Sequence, residues 1–244
     1  LQSTHHYEPL QLSIRDVSHI FDQLAMTLNI SSVFQLVGPS IGGFIALEWA
    51  IESTIEIKKL LLISTSYYAS PWNVAINETQ LMALENNDSQ KALSTARAIA
   101  MLSYRTSSSY NSSQEGVDNN GNPLAARYQR YQGNKLVKRF QFESYKYLIK
   151  LFNTHDVGAD RLSRARALSR VGSSTTIISF NSDLLFPPCE QEYMAEHIPN
   201  VVLHLLKSDF GHDSFLKERL KIRSILQKQY ESEITCNNLK LSID

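Results

Sequence analysis

Val33-Phe34-Gln35-Leu36-Val37-Gly38-Pro39-Ser40-Ile41-Gly42-Gly43-Phe44 is the stretch from which the fold is read. The apolar run Val33 to Val37 ends in a cluster of small residues. A helical pattern from Phe44 to Ile51 follows at once, so the spacing predicts strand, sharp turn, helix. The turn holds Gly38-x-Ser40-x-Gly42, the nucleophile-elbow pattern. A serine on so tight a turn has a strained backbone, and its neighbours two places away crowd each other. Glycine is therefore expected to be needed at both Gly38 and Gly42. Pro39 restricts Gly38 to extended conformations, which suits a strand end. Ser40 falls at the start of the next helix, where backbone N–H groups favour developing negative charge. Ordinary βα turns can carry the same pattern, but a strand and a helix on its two sides favour the catalytic reading.

Working outward, Ser13 to Leu28 reads as a helix. Ser13-Ile14-Arg15-Asp16 is a capping-box-like start with Asp in place of Glu or Gln. Ile14, Val17, Phe21, Leu24, Ala25 and Leu28 form one apolar stripe. Leu60-Leu61-Leu62-Ile63 fits a strand buried on both faces, as in a parallel sheet. From Ser66 to Leu168 strand-like runs vanish and helical patterning takes over, at Trp72 to Glu85, at Lys91 to Tyr104, and in a segment carrying Phe140, Phe142, Tyr145, Tyr147 and Leu148. Those aromatics are expected to form subdomain core. Thr106 to Asn122, rich in Ser, Asn and Gly, reads as a mobile surface loop. The sheet resumes at Ser174 to Phe180, followed by a helix from Phe186-Pro187-Pro188 to Ile198. Val201 to Leu206 is the last strand, and Ser214 to Tyr230 a closing helix. The order predicts an α/β fold with a mostly parallel, doubly wound sheet. Residues 1–65 form its first part and 66–168 an inserted helical cap over the C-terminal edge of the strands. Residues 169–230 form its second part and 231–244 a polar tail.

The 244 residues carry 24 Lys+Arg and 24 Asp+Glu, so no basic excess points to nucleic acid or an anionic membrane. Hydrophobic residues at 43% support a substantial core, and the longest apolar runs fall short of a membrane span. Cys189 and Cys236 offer neither metal spacing nor a disulfide framework, which suits a reducing, cytoplasmic setting. Asn29, Asn77, Asn87 and Asn111 begin glycosylation sequons of the kind that arise by chance in Asn/Ser-rich sequence. The chain opens Leu1-Gln2-Ser3 with no signal-peptide pattern and reads as a cut end.

Three residues stand in the order Ser40, Asp183, His212, the Ser…Asp/Glu…His order of α/β-hydrolases. Each lies just past a predicted strand's C-terminal end, so all three can converge on one edge of the sheet. Ser40 is then the nucleophile, His212 its general base, and Asp183 the group that orients and stabilises the imidazolium. The backbone N–H of Ile41 supplies half of an oxyanion hole. Taken singly, Asp183 could be a turn-forming Asp and His212 a solvated loop histidine. His5, His6, His19, His155, His197 and His204 have no matching context and are read as structural.

Leu36 to Gly43 followed by Ala46-Leu47-Glu48-Trp49-Ala50 resembles the nucleophile region of homoserine O-acetyltransferases. Similarity continues through Ile63 to Ser66 with Trp72-Asn73 and Asn77-Glu78, and through Ala96-Arg97 with Leu102 to Arg105. Tyr131 to Lys135 with Arg139-Phe140 and Ser144-Tyr145 also match. So do Ser182 to Pro187 and Gly211 to Leu216. The resemblance implies an acyltransferase of methionine biosynthesis that takes an acetyl group from acetyl-CoA onto serine and passes it to the hydroxyl of L-homoserine by a ping-pong route. It implies substrate-binding roles for Arg97 and Asp213, a guanidinium for a carboxylate and a carboxylate for an ammonium. Tyr104, on the same predicted helix as Arg97, would line that pocket. No metal or permanently bound cofactor is expected, acetyl-CoA being a co-substrate, and a homodimer through the helical cap is implied. Pro39 and Ile41 replace the family's usual Gly and Met beside the serine, which leaves acetyl or succinyl donors open. By the same comparison, about a hundred N-terminal residues with several strands and the second oxyanion donor lie outside this sequence. An esterase, an enzyme acylating serine, or an inactive truncated homologue are the alternatives.

Overall fold

Leu60, Leu61, Leu62 and Ile63 become the inner half of strand β2 (Glu56–Ile63), and all four are buried. In this computed structural model, which describes residues 12–86 and 88–228, β2 lies between β1 (Ser32–Pro39) and β3 (Ser174–Phe180), and β4 (Val201–Leu206) follows β3. All three pairings are parallel, with Val37 opposite Leu61, Leu62 opposite Ile177 and Phe180 opposite Leu206. Alternate side chains of β2 serve opposite faces, as the pleat requires. Leu60 and Leu62 join Leu47, Ile51, Ile177, Met194 and Ile198 in one core. Leu61 and Ile63 join Ile178, Phe180, Phe215, Ile222 and Leu226 in another. Burial on both faces explains why the run is continuously apolar rather than alternating.

Helix α1 (Ile14–Thr27) opens with the expected capping box, Asp16 accepting from the Ser13 amide and hydroxyl at 2.7 Å each. Its inward face differs from the expected stripe. Ile14, Ser18, Asp22 and Ala25 are buried, whereas Phe21, Leu24 and Leu28 are exposed. The cause is a polar dock. Asp22 accepts from Trp49 Nε1 at 2.8 Å and from the Ser53 hydroxyl at 3.1 Å, and also takes the Thr54 amide and hydroxyl. Burial alone would raise the Asp22 carboxyl, but these donors hold it below the usual range. Trp49 and Glu48 lie on α2 (Ile41–Glu52), and Glu48 is buried in an ion pair with Arg161 at 2.7 Å. Strand β1 pairs only with β2 among the described residues, and its Phe34 and Val37 are exposed.

Six helices separate β2 from β3: α3 (Pro71–Ala83), α4 (Ser89–Tyr104), α5 (Ser107–Ser113), α6 (Leu124–Val137), α7 (Phe142–Asn153) and α8 (Arg164–Leu168). Three of them, α5, α6 and α8, lie where the sequence suggested no helix. Helix α5 replaces part of the expected loop because Thr106 caps it, its hydroxyl accepting from the Ser109 amide at 3.0 Å, and Arg105 reaches forward to Ser109 and Ser113. Here specific partners override a loop-like composition. The α3 and α5 ends of this unit meet the loops after β3 and β4. Asn73 Nδ2 donates to the Leu185 carbonyl at 2.6 Å, and the Thr106 hydroxyl to the Asp209 carbonyl. Of the expected aromatic core, Phe142 and Tyr145 pack with Leu84, Ala92, Ala96 and Ile149, Phe140 stands edge-on to Tyr145, and Tyr147 packs on a separate cluster with Phe44 and Phe186.

After β3 comes α9 (Pro188–His197). After β4 come a 3-10 turn (Gly211–Asp213), α10 (Ser214–Lys217) and α11 (219–228). The closing helix is thus broken rather than continuous. Glu218 leaves helical geometry at ψ 33°, and beyond the bend Ile222, Ile225 and Leu226 pack on the sheet. His5, His6, Asn87, Cys236 and the polar tail lie outside the described residues, and Cys189 is a free, exposed thiol. Among the described residues no helix is long and apolar enough to cross a membrane, and no cluster of His, Cys, Asp and Glu could hold a metal ion.

Candidate active site

Four parallel strands put all their C-terminal ends on one edge, and the loops there carry Ser40, Asp183 and His212. Ser40 sits between β1 and α2 with φ 52° and ψ −129°, a conformation that L side chains rarely adopt. The strain is held from three sides. Its amide donates to the Ile63 carbonyl at 3.0 Å, while its carbonyl accepts from the Thr65 hydroxyl at 2.7 Å and the Gly43 amide at 2.8 Å. Ser40 precedes the first helical residue but its side chain makes no capping bond, so Oγ stays free for chemistry. The Ile41 N–H is the first of α2, where amides lack intrahelical partners.

Only one of the two expected glycine requirements holds. A Cβ on Gly38 would come within 2.6 Å of the Gly42 carbonyl and of Gly43 Cα. On Gly42 it would meet only Pro39 Cδ, at an ordinary 3.5 Å. The second crowded position is Gly43, where a Cβ would collide with the Thr65 side chain that buttresses Ser40. Gly42→Ala should therefore change the urea midpoint by less than the equivalent of about 1 kcal/mol, as a helical Gly-to-Ala exchange does. Gly43→Ala should cost roughly 2–3 kcal/mol by overpacking. Equal effects at the two positions would contradict this assignment of the close contact.

His212 Nε2 lies 3.0 Å from Ser40 Oγ, and its Nδ1 lies 2.9 Å from Asp183 Oδ2. Both His212 and Asp183 are buried. The two readings of Asp183 prove compatible. Its Oδ1 accepts from the Leu185 and Phe186 amides at 2.9 Å each, an Asx turn, while Oδ2 faces the imidazole. The strand-end residues before it also hold the histidine loop. Asn181 Oδ1 accepts from the Ser208 amide at 2.8 Å and the Ser182 hydroxyl from the Gly211 amide at 3.1 Å. Three consecutive residues after β3 therefore fix the loop after β4, two of them in positioning roles that the sequence did not reveal. Gly211 adopts φ 65°, and its Cβ position would lie 3.0 Å from the Tyr104 carbonyl, so the loop is also packed against α4. Tyr104, Phe186 and Phe215 ring the imidazole at 5.7, 5.3 and 5.3 Å between centroids.

Arg97, Tyr104 and Asp213 come together beside this triad. The Arg97 guanidinium lies 5.1 Å from the Tyr104 ring centre. Burial pushes the Tyr104 hydroxyl up, Arg97 opposes the shift and Asp213 adds to it. Burial likewise raises the Asp213 carboxyl, with His212, Arg105, Arg97 and Lys217 opposing. Arg97 and Asp213 thus lie close enough to act on each other, yet neither belongs to an ion pair among the described residues. A half-buried cation and a half-buried anion left apart suit a ligand that carries both charges.

Two further buried groups stand behind the site. Burial raises the Glu190 carboxyl, Ser66 and Ser70 oppose this, and the Asp183 charge reinforces it. His155 stacks on Phe44 at 3.9 Å and is driven down to about 3 by burial, so it stays neutral and structural.

Residues 2–219 match the family described as alpha/beta hydrolase fold. A homoserine O-acetyltransferase of Cyclobacterium marinum is 32% identical over 236 residues, covering 93% of this chain and 67% of that protein. In structure, a homoserine O-acetyltransferase from Staphylococcus aureus superposes with a TM-score of 0.76 at 24% identity, covering 86% of this chain and 62% of that one. Esterase E22 superposes with a TM-score of 0.75 at 16% identity, covering 83% of this chain and 62% of the other. The chain spans about two thirds of the length of these relatives.

Proposed function

We propose, since this chain belongs to the homoserine O-acetyltransferase family of alpha/beta hydrolases, that it carries an acetyl group from acetyl-CoA to the hydroxyl of L-homoserine by way of Ser40. The fold alone does not favour transfer over hydrolysis, because an esterase shares it. The observation that carries the reading is Arg97 over Tyr104 and Asp213 next to His212, a cation and an anion that belong to no ion pair among the described residues, a clamp matched to an amino acid's carboxylate and ammonium.

In the first half-reaction Ser40 Oγ attacks the thioester carbonyl while His212 Nε2 takes its proton. Asp183 holds the imidazole with Nδ1 protonated and stabilises the imidazolium. The Ile41 N–H donates to the oxyanion. When the C–S bond breaks, His212 returns the proton to the CoA sulfur, leaving acetyl-Ser40. The acceptor hydroxyl then gives its proton to His212 and attacks the ester, and Ser40 Oγ recovers the proton as product leaves. The inserted helices would limit water at this ester. Tyr104 would wall the acceptor side, and a homodimer through these helices belongs to the same proposal.

The test is CoA release by the protein with and without L-homoserine. Release that requires the amino acid supports transfer, and an equal rate without it overturns the reading in favour of hydrolysis. The raised Asp213 carboxyl adds a pH signature. Its ionised form binds the ammonium, so the acceptor KM should climb as pH falls through a value above the ordinary aspartate 3.8. An acceptor KM that stays flat through that range would remove Asp213 from the clamp.

A further inference from the structure

We propose that the Tyr110 hydroxyl is a third polar contact for the acceptor's charged amino-acid head, alongside Arg97 and Asp213. This deepens the reading above and rests on it. Tyr110 lies on α5, which is fixed to the histidine loop by the Thr106 hydroxyl bonded to the Asp209 carbonyl and by Gly211 packed on the Tyr104–Arg105 backbone. The ring has little freedom. It stands edge-on to Tyr128 at 5.9 Å, and the Arg105 guanidinium covers both rings, 4.8 Å from Tyr110 and 5.2 Å from Tyr128. Arg105 is itself held by Ser109 and Ser113.

A ring clamped this firmly could point its hydroxyl at a partner, as buried phenols normally do. Instead the Tyr110 hydroxyl is buried and has no hydrogen-bond partner among the described residues. The charges that act on it, besides its neighbours Tyr128 and Arg105, are Asp213 and Arg97, the two poles of the proposed clamp. A buried donor without a partner costs stability, and such groups persist where function uses them. A neutral phenol suits this position. It can donate to a carboxylate and accept from an ammonium without upsetting the balance between the two fixed charges.

Tyr110→Phe removes only the oxygen. In the intact protein the KM for L-homoserine should rise about tenfold or more, the value of one hydrogen bond to a charged group. The KM for acetyl-CoA should stay within about twofold and the melting temperature should hold or rise, since the lost group is unpaired in the free protein. A homoserine KM equal to the wild type's, or equal rises for both substrates, overturns the assignment. If the wild type itself shows no homoserine-dependent CoA release, the amino-acid reading fails first and this inference falls with it.

Discussion

Ser40→Ala should reduce acyl transfer about a millionfold, the cost of removing the nucleophile from a fully assembled serine triad. The residual rate would come from the oxyanion donor and from binding. The variant should keep its fold, because alanine retains the Cβ and the backbone bonds to Ile63, Thr65 and Gly43 do not involve the side chain. Its melting temperature should therefore stay close to the wild type's. Ser40→Gly separates the two roles of this residue. It should be equally inactive yet more stable by about 1 kcal/mol, since glycine adopts φ 52° without strain. Incubation with acetyl-CoA followed by intact-mass measurement should show an added acetyl group on the wild type and none on either variant. Homoserine-dependent CoA release by Ser40→Ala above about one thousandth of the wild-type rate would rule out an acyl-serine intermediate and require direct transfer instead.

Local, covalently dictated features were readable from the chain: the elbow, the capping box at Ser13, the buried run of β2, and strands β3 and β4 with Asp183 and His212 at their ends. Each follows from short-range sterics or from burial on both faces of a sheet. What escaped reading depends on partners distant in sequence. The inward face of α1 is set by Asp22 meeting Trp49 and Thr54, so a polar residue holds the position that an apolar stripe would suggest. Gly43 rather than Gly42 is the tight glycine because Thr65, on the loop after β2, fills the space beside it. Tyr110 sits in a Ser/Asn-rich stretch whose composition says loop. Arg105, Tyr128 and the capping Thr106 turn its first part into a helix tied to the loop after β4. Asn181 and Ser182 bond backbone 27 and 29 residues further on, so their work is visible only once the loop after β4 lies against them.

Asp183→Asn should lower kcat about ten-thousandfold while leaving the fold intact, and the reason lies in how the carboxylate divides its two oxygens. Oδ1 accepts two backbone amides, from Leu185 and Phe186, and Oδ2 alone faces His212. An asparagine must keep its carbonyl oxygen on the two amides, because turning its NH₂ toward them would set donors against donors in a buried site. Its NH₂ then points at His212 Nδ1, which can face it only as an acceptor. The proton moves to Nε2, the atom 3.0 Å from Ser40 Oγ, and the base is blocked although every heavy atom stays in place. The loss should ease at higher pH, where hydroxide can take the Ser40 proton in place of the blocked imidazole. Asp183→Ala tests a different quantity. It leaves the Leu185 and Phe186 amides buried and unsatisfied, so it should cost roughly 1–3 kcal/mol for each unpaired amide besides inactivating the site. An Asp183→Asn variant that retained more than about a tenth of the wild-type kcat would show that tautomer control is not Asp183's task. Its value would then rest on the turn alone.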